Sequence, residues 1–458
     1  MGLATRGQGP TPLPGQGDGF GMPEVLTSTG GVLDVTLEAA EGSHQVAGRT
    51  ATTFAYNGSV PGPTMRLRPG DRLRVRLVNQ LPQGTNLHTH GLLVSPEGNA
   101  DNVFIHVEPG ESFDYEYQLP DDHPPGLYWY HPHLHELVAD QLFAGLYGAI
   151  IVEDPEELPF TRERVLVVSD ITLDGASRVR QPSTMERMMG REGELVLVNG
   201  QAGALLAARP GERERWRVVN ACSSRFLSLR LDGQQLQLLG RDLGLFAGPQ
   251  DVEEVFLPPG GRADLAVTTA EGRSTLAAMP VDRGGMMMGP ARSDAVVALA
   301  SLEVSGSSAS GLAALPAQPA PRDLRQVRVD GSRELVFAMG SGMGMGRGPG
   351  GMQLTIDGKT FDHERIDQEV AFGSVEEWTI VNDSPMDHPF HLHVWPMQLI
   401  EESGQSVQTP MWLDVVNVPS RGWAKVRIAF ERFGGRTVYH CHILDHEDLG
   451  MMGIIRAS

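Results

Sequence analysis

The strongest constraint on the fold is a pattern that occurs three times at one spacing. The stretches RPGDRLRVRLVN, RPGERERWRVVN and AFGSVEEWTIVN each run from a turn glycine to an asparagine nine residues on, giving Gly70/Asn79, Gly211/Asn220 and Gly373/Asn382. Between these markers apolar and polar residues alternate, as in Arg72–Val78, Glu214–Val219 and Glu376–Val381. That is the period of a half-buried strand. Helical periodicity is scarce elsewhere, and Gly/Pro turns punctuate the alternating runs. A unit repeated in register is one domain copied, and 458 residues leave room for about three. The expectation is an all-β chain of three Greek-key β-sandwich domains near 24–155, 160–304 and 326–458. A Ser/Ala/Pro-rich linker, roughly 305–322, separates the last two.

The register carries histidines in two of the copies. Nine residues past Asn79 and Asn382 lie His88-Thr-His90 and His391-Leu-His393, whereas nine past Asn220 lies Leu229-Arg-Leu231. Five residues past Gly126 and Gly435 lie His131-Pro-His133 and His440-Cys-His442, whereas five past Gly272 lies Ala277-Ala-Met279. The middle copy therefore reads as a spacer without metal ligands.

Side chains two apart on a strand point the same way, so each His-x-His offers two imidazoles to one side. Four pairs supply eight nitrogens, too many for one tetrahedral zinc, which takes four. They suit a cluster of about three ions that keep room for an exogenous ligand. Imidazole alone does not name the metal. The third copy does. In His440-Cys441-His442 the alternation sends the thiol to the face opposite its neighbours, and His446, Met451 and upstream His388 complete a thiolate, two imidazoles and a weak thioether. That donor set is a blue-copper site. One tripeptide then touches two centres.

The remaining composition excludes more than it selects. The net charge of −20 repels nucleic-acid phosphates, and no apolar run approaches the ~20 residues of a membrane span. The first 22 residues are rich in Gly and Pro and lack the apolar block of a signal peptide. Two cysteines make no disulfide framework; Cys222 reads as a small buried residue.

The segments HTH, HPH, HPFHLH and HCHILDHEDLGMM resemble the four copper signatures of multicopper oxidases, particularly bacterial laccases and cuprous oxidases, and the likeness runs over all three domains. The resemblance implies cupredoxin-like domains and four copper ions: one type 1, one type 2 and two type 3. It places type 1 copper on His388, Cys441 and His446, with Met451 axial. Type 2 copper falls to His88 and His391, and the type 3 pair to His90, His131, His133, His393, His440 and His442. It gives Glu447 and Asp101 proton-delivery roles in the reduction of dioxygen to water, and implies export to the periplasm or beyond. A monomer is expected. Thr89 stands where many relatives carry Trp, which alters packing and removes no ligand. His135 lies beyond the pattern and reads as a non-ligand, while His44, His106, His123 and His363 read as surface residues. Asp414 is expected to orient a type 1 histidine.

The electron donor is the open question. Laccase-type oxidation of phenols and aromatic amines needs an exposed edge of a type 1 histidine. Thioethers suit Cu(I), and methionines gather at Met185, Met188 and Met189, at Met286–Met288, and at Met339, Met343, Met345 and Met352, with Met386 two residues before His388. The sequence equally allows these to be gap-filling or hydrophobic-lid residues. A copper-binding electron carrier without oxidase turnover is the rival reading, and a nitrite reductase another; both leave histidines unexplained.

Overall fold

The computed structural model describes residues 20–285, 295–340 and 353–458. Six sheets form three β-sandwiches in chain order. In the first domain a four-stranded sheet built on 32–46 and 72–80 faces a five-stranded sheet holding His88–His90 and Gly126–His131. The middle and third domains repeat the plan. The parallel pairing of 32–46 with 72–80 recurs as 162–171 with 213–220 and as 331–340 with 375–383.

The repeated residues have repeated work. Gly70, Gly211 and Gly373 lie at φ +84°, +80° and +88°, where a side chain would be strained. Each asparagine closes the far end of its strand. Asn79, Asn220 and Asn382 accept through Oδ1 from the backbone N–H two residues on (Leu81, Cys222, Ser384). Their Nδ2 groups donate to buried carbonyls, among them Val107, Leu257 and Val418. A side chain that satisfies its own turn and an adjoining loop explains why the position is kept as asparagine in all three copies.

Where the outer domains carry histidines, the middle domain fills the same strands with apolar side chains: Leu229 pairs with Ala278 and both are buried in its core. Cys222 is buried there too and forms no disulfide. The linker runs along the middle domain, with Ser305, Ala309 and Gln318 donating backbone N–H groups to Ala208, Pro210 and Ala247. Among the described residues no helix is long and apolar enough to cross a membrane.

Two short helices clamp the outer domains together. Asp448, on the third domain's 444–448 helix, accepts from the N–H groups of Val138 and Ala139 at the start of the first domain's 138–143 helix, at 3.1 and 2.8 Å. The middle domain joins this clamp through Arg191, whose guanidinium binds Asp445 of the third domain and Asp140 of the first. Arg191 and Asp445 are both buried, so removing one partner strands a charge. Arg191→Ala is expected to cost about 3–5 kcal/mol, read as a lowered denaturant midpoint; a change under about 1 kcal/mol would mean solvent reaches Asp445.

Candidate metal centre

The strands bring the eight paired histidines into one buried chamber at the junction of the first and third domains. His88 stacks on His393 and His90 on His391, both with ring centroids 4.0 Å apart, although 305 and 301 residues separate them. His440 Nε2 lies 3.1 Å from both His133 Nε2 and His393 Nε2. Each pair stays side by side, with centroid separations of 5.5, 6.3, 4.6 and 5.7 Å along the chain.

Most rings are turned by a partner on their outer nitrogen. His88 Nδ1 meets the Asp101 carboxylate at 2.9 Å, and Asp101 also accepts from Thr89 N. His131 Nδ1 donates to Pro132 O, His391 Nδ1 to Asp414 O and His440 Nδ1 to Cys441 O, at 2.7, 2.7 and 3.1 Å. Tying Nδ1–H to an acceptor leaves Nε2 with its lone pair. Those inward atoms on His88, His90, His131 and His391 are buried without a hydrogen-bond partner among the described residues, as are both nitrogens of His442. Burial pushes His90, His131, His133, His391, His393 and His442 well below the usual imidazole range, and their crowding pushes the same way. Neutral, inward imidazoles buried in this way are costly except as metal ligands. The chamber fits its ions.

On the other face of the same strand, Cys441 points away from His440 and His442. Its sulfur lies 3.3 Å from His388 Nδ1 and 3.8 Å from His446 Nδ1, and those two nitrogens are 3.3 Å apart. Met451 is buried in the same core, one backbone hydrogen bond from Cys441 (N–H to Met451 O, 3.1 Å). Burial raises the Cys441 thiol and lowers His388 to about 3. Sulfur and nitrogen donors at such separations suit one soft cation, which would displace the thiol proton.

Glu447 follows His446 and turns into the chamber, fully buried. Its Oε2 is 3.1 Å from His440 Nδ1 and its Oε1 3.4 Å from His133 Nε2. The atoms are close yet misaligned, and neither oxygen makes a hydrogen bond among the described residues. Burial, with Asp448 beside it, holds this carboxyl well above the ordinary range. Asp101 and Glu447 thus reach the chamber from opposite domains.

Several expectations need correction. Asp414 does not touch a type 1 histidine: its carboxylate is 3.3 Å from His90 Nδ1 in the large cluster, because the WLDVV strand runs beside His391. His123 is a buried residue, accepting from Leu93 N–H and donating to Pro124 O. His44 is half-buried; His106 and His363 are exposed, and His135 packs on Phe361 away from the cluster. Met386 is fully buried in the third-domain core and Met339 packs against that core, so Met386 offers no sulfur to a docked donor. Met286–Met288, Met343, Met345 and Met352 lie outside the described residues.

No type 1 histidine edge is exposed among the described residues. His388 Nε2 pairs with Ser384 Oγ at 2.8 Å, and His446 Nε2 donates to the Met188 carbonyl at 3.1 Å. Met188 belongs to the middle domain, on the helix Thr184–Met189. That domain also places Arg262 and Gly260 against the large cluster: a Cβ on Gly260 would stand 2.9 Å from His442. The middle copy lacks ligands, but it walls both sites and is no mere spacer. Trp129, stacked on His131 at 4.3 Å, is a further wall residue. Its place in WYHPH was a signal for it; nothing in the sequence pointed to Arg262.

Comparison with known proteins agrees with this geometry. Three family models, each described as multicopper oxidase, match residues 38–157, 162–290 and 328–458. A solved multicopper oxidase from Campylobacter jejuni, described as a metallo-oxidase, is 30% identical with a TM-score of 0.85, over 97% of this chain and 96% of that one. A laccase-like oxidase from Ochrobactrum sp., with activity towards lignin model compounds and lignosulfonate, is 26% identical at TM-score 0.81, covering 96% of this chain and all (100%) of its own. The laccase of Bacillus subtilis is 27% identical, covering 92% of this chain and 93% of the relative. With its histidine clusters and its His-Cys-His-Met pattern, the chain belongs to the bacterial laccase-like multicopper oxidases, which are oxidoreductases.

Proposed function

We propose that the chain holds four coppers in the positions its ligand geometry favours and couples one-electron oxidation of phenols or aromatic amines, and of Cu(I), to reduction of dioxygen to water. Type 1 copper would sit on His388, Cys441 and His446, with Met451 axial. Type 2 copper would take His88 and His391, and the type 3 pair His90, His131, His133, His393, His440 and His442. Bound copper supplies the reversible one-electron change that the side chains lack.

The observation that carries this reading is the single peptide link between Cys441 and each of the cluster residues His440 and His442. A chain that only carried electrons would not need eight further imidazoles gathered at that link. The residues around them handle protons and water. Asp101 holds His88 with Nε2 inward, and Glu447 stands inside the chamber with both oxygens available to a proton. Trp129 and the buried strands keep bulk water out.

For the donor, the covered His446 matters most. The Met188 carbonyl on His446 Nε2 offers an electron from a phenol an entry through the Met188 peptide. On the same helix Met185 is exposed, a soft sulfur at the surface. This supports Cu(I) as a donor beside phenols. Deleting residues 341–352 is expected to slow Cu(I) oxidation several-fold more than phenol oxidation, measured as dioxygen uptake; equal losses would remove methionine docking from the reading. Uptake with neither donor, from copper-loaded protein, would overturn the proposed donor classes.

A further inference from the structure

We propose that Arg262, reaching in from the ligand-free middle domain, is a positioning residue of the large histidine cluster: it holds the Asp414 carboxylate against His90 and so fixes which nitrogen His90 turns inward. The inference rests on the copper assignment above.

Arg262 opens the strand Arg262–Thr268 and is fully buried where all three domains meet. Its guanidinium binds Asp414 Oδ1 of the third domain, while Nε donates to Leu127 O of the first at 3.1 Å and Nη1 to Gly260 O of its own at 3.3 Å. The same Nη1 stands 3.5 Å from His90 Nδ1. Asp414 Oδ2, the other oxygen, lies 3.3 Å from that Nδ1 and makes no hydrogen bond among the described residues.

The roles follow from donors and acceptors. A guanidinium only donates, so it cannot accept the His90 proton; a carboxylate only accepts, so it can. With one Asp414 oxygen held by Arg262, the other is left facing Nδ1–H, and His90 Nε2, buried and without a hydrogen-bond partner among the described residues, keeps its lone pair for a metal. Asp242 secures both ends of the arrangement. Its carboxylate accepts from Arg262 N at 2.8 Å and faces the backbone N–H groups of Asp414 and Val415 at 3.3 and 3.5 Å. Space is also reserved for the pair. Gly91, directly after His90, sits at φ +86°, and a Cβ there would fall 2.2 Å from Asp414 Oδ2 and 2.5 Å from Arg262 Nη2. The middle domain therefore acts on a metal cluster to which it gives no ligand.

The test compares wild type, Arg262→Gln and Arg262→Lys by copper content, blue absorbance, type 2 spin resonance and melting temperature of the copper-free protein. In Arg262→Gln, cluster copper affinity is expected to fall about 10–100-fold, with blue absorbance retained because His388, Cys441 and His446 are untouched. Arg262→Lys is expected to recover part of that affinity with the copper-free melting temperature of Arg262→Gln unchanged, since Lys restores a donor to Asp414 but not the fork. Full cluster occupancy in Arg262→Gln would overturn the proposal. So would parallel loss of blue colour and copper-free melting temperature in both variants, which is what a purely structural residue would give. If wild type itself fails to fill the cluster, the copper assignment fails instead, and the two failures are distinct.

Discussion

Cys441→Ser is expected to bleach the copper-loaded protein and to reduce dioxygen uptake below about 1% of wild type with any donor. The hydroxyl is isosteric enough to leave the buried packing intact, but it does not ionise readily and is a poor ligand for a soft cation. His388 and His446 would keep their Ser384 and Met188 partners, so the metal-free fold should survive. Cluster copper, counted by elemental analysis, should remain. A serine variant that stays blue would place the colour elsewhere and undo the assignment of Cys441. Residual turnover above a few per cent would mean that electrons reach the histidine chamber by a route other than the peptide links to His440 and His442.

Glu447→Gln is expected to have the second-largest effect, slowing turnover roughly 100-fold or more, the usual yield of a positioned proton donor. The amide has nearly the same shape, so the short helix Leu444–Asp448 and its contact with Val138 and Ala139 should be preserved. What is lost is a group that can give up a proton 3.1 Å from His440 Nδ1 inside a chamber closed to bulk water. Copper content and blue absorbance should match wild type, and a phenol added without dioxygen should still bleach the colour at the normal rate. Slow uptake with normal bleaching locates the defect at dioxygen. Normal uptake would remove Glu447 from proton delivery.

Much of this was legible in the sequence because it is local. The two-residue period of a strand puts His88 beside His90 and Cys441 opposite His440, whatever the rest of the chain does. The recurring Gly70, Gly211 and Gly373, with Asn79, Asn220 and Asn382, mark turn chemistry that is likewise satisfied within a few residues or one loop. The misreadings all concern which surface meets which. Asp414 was expected beside a type 1 histidine and lies beside His90, because strand order, not sequence distance, decides its neighbour. His123 carries no apolar pattern around it and is nevertheless buried, satisfied by one donor and one acceptor from adjoining loops. Met386 sits close to a ligand in sequence, yet its side chain turns into the core. Arg262 was invisible for the same reason: its partners belong to three different domains, and no periodicity encodes that meeting.

The division of donor atoms among the domains has an assembly consequence. Every atom of the sulfur-containing site comes from the last domain, whereas the eight imidazoles are shared evenly between the first domain and the last. Pigmentation can therefore precede correct docking of the two ends during maturation, but gas consumption cannot. On the proposed copper assignment, wild-type protein that is coloured and inert is the expected product of a carboxyl-terminal third that has folded before the seam closes.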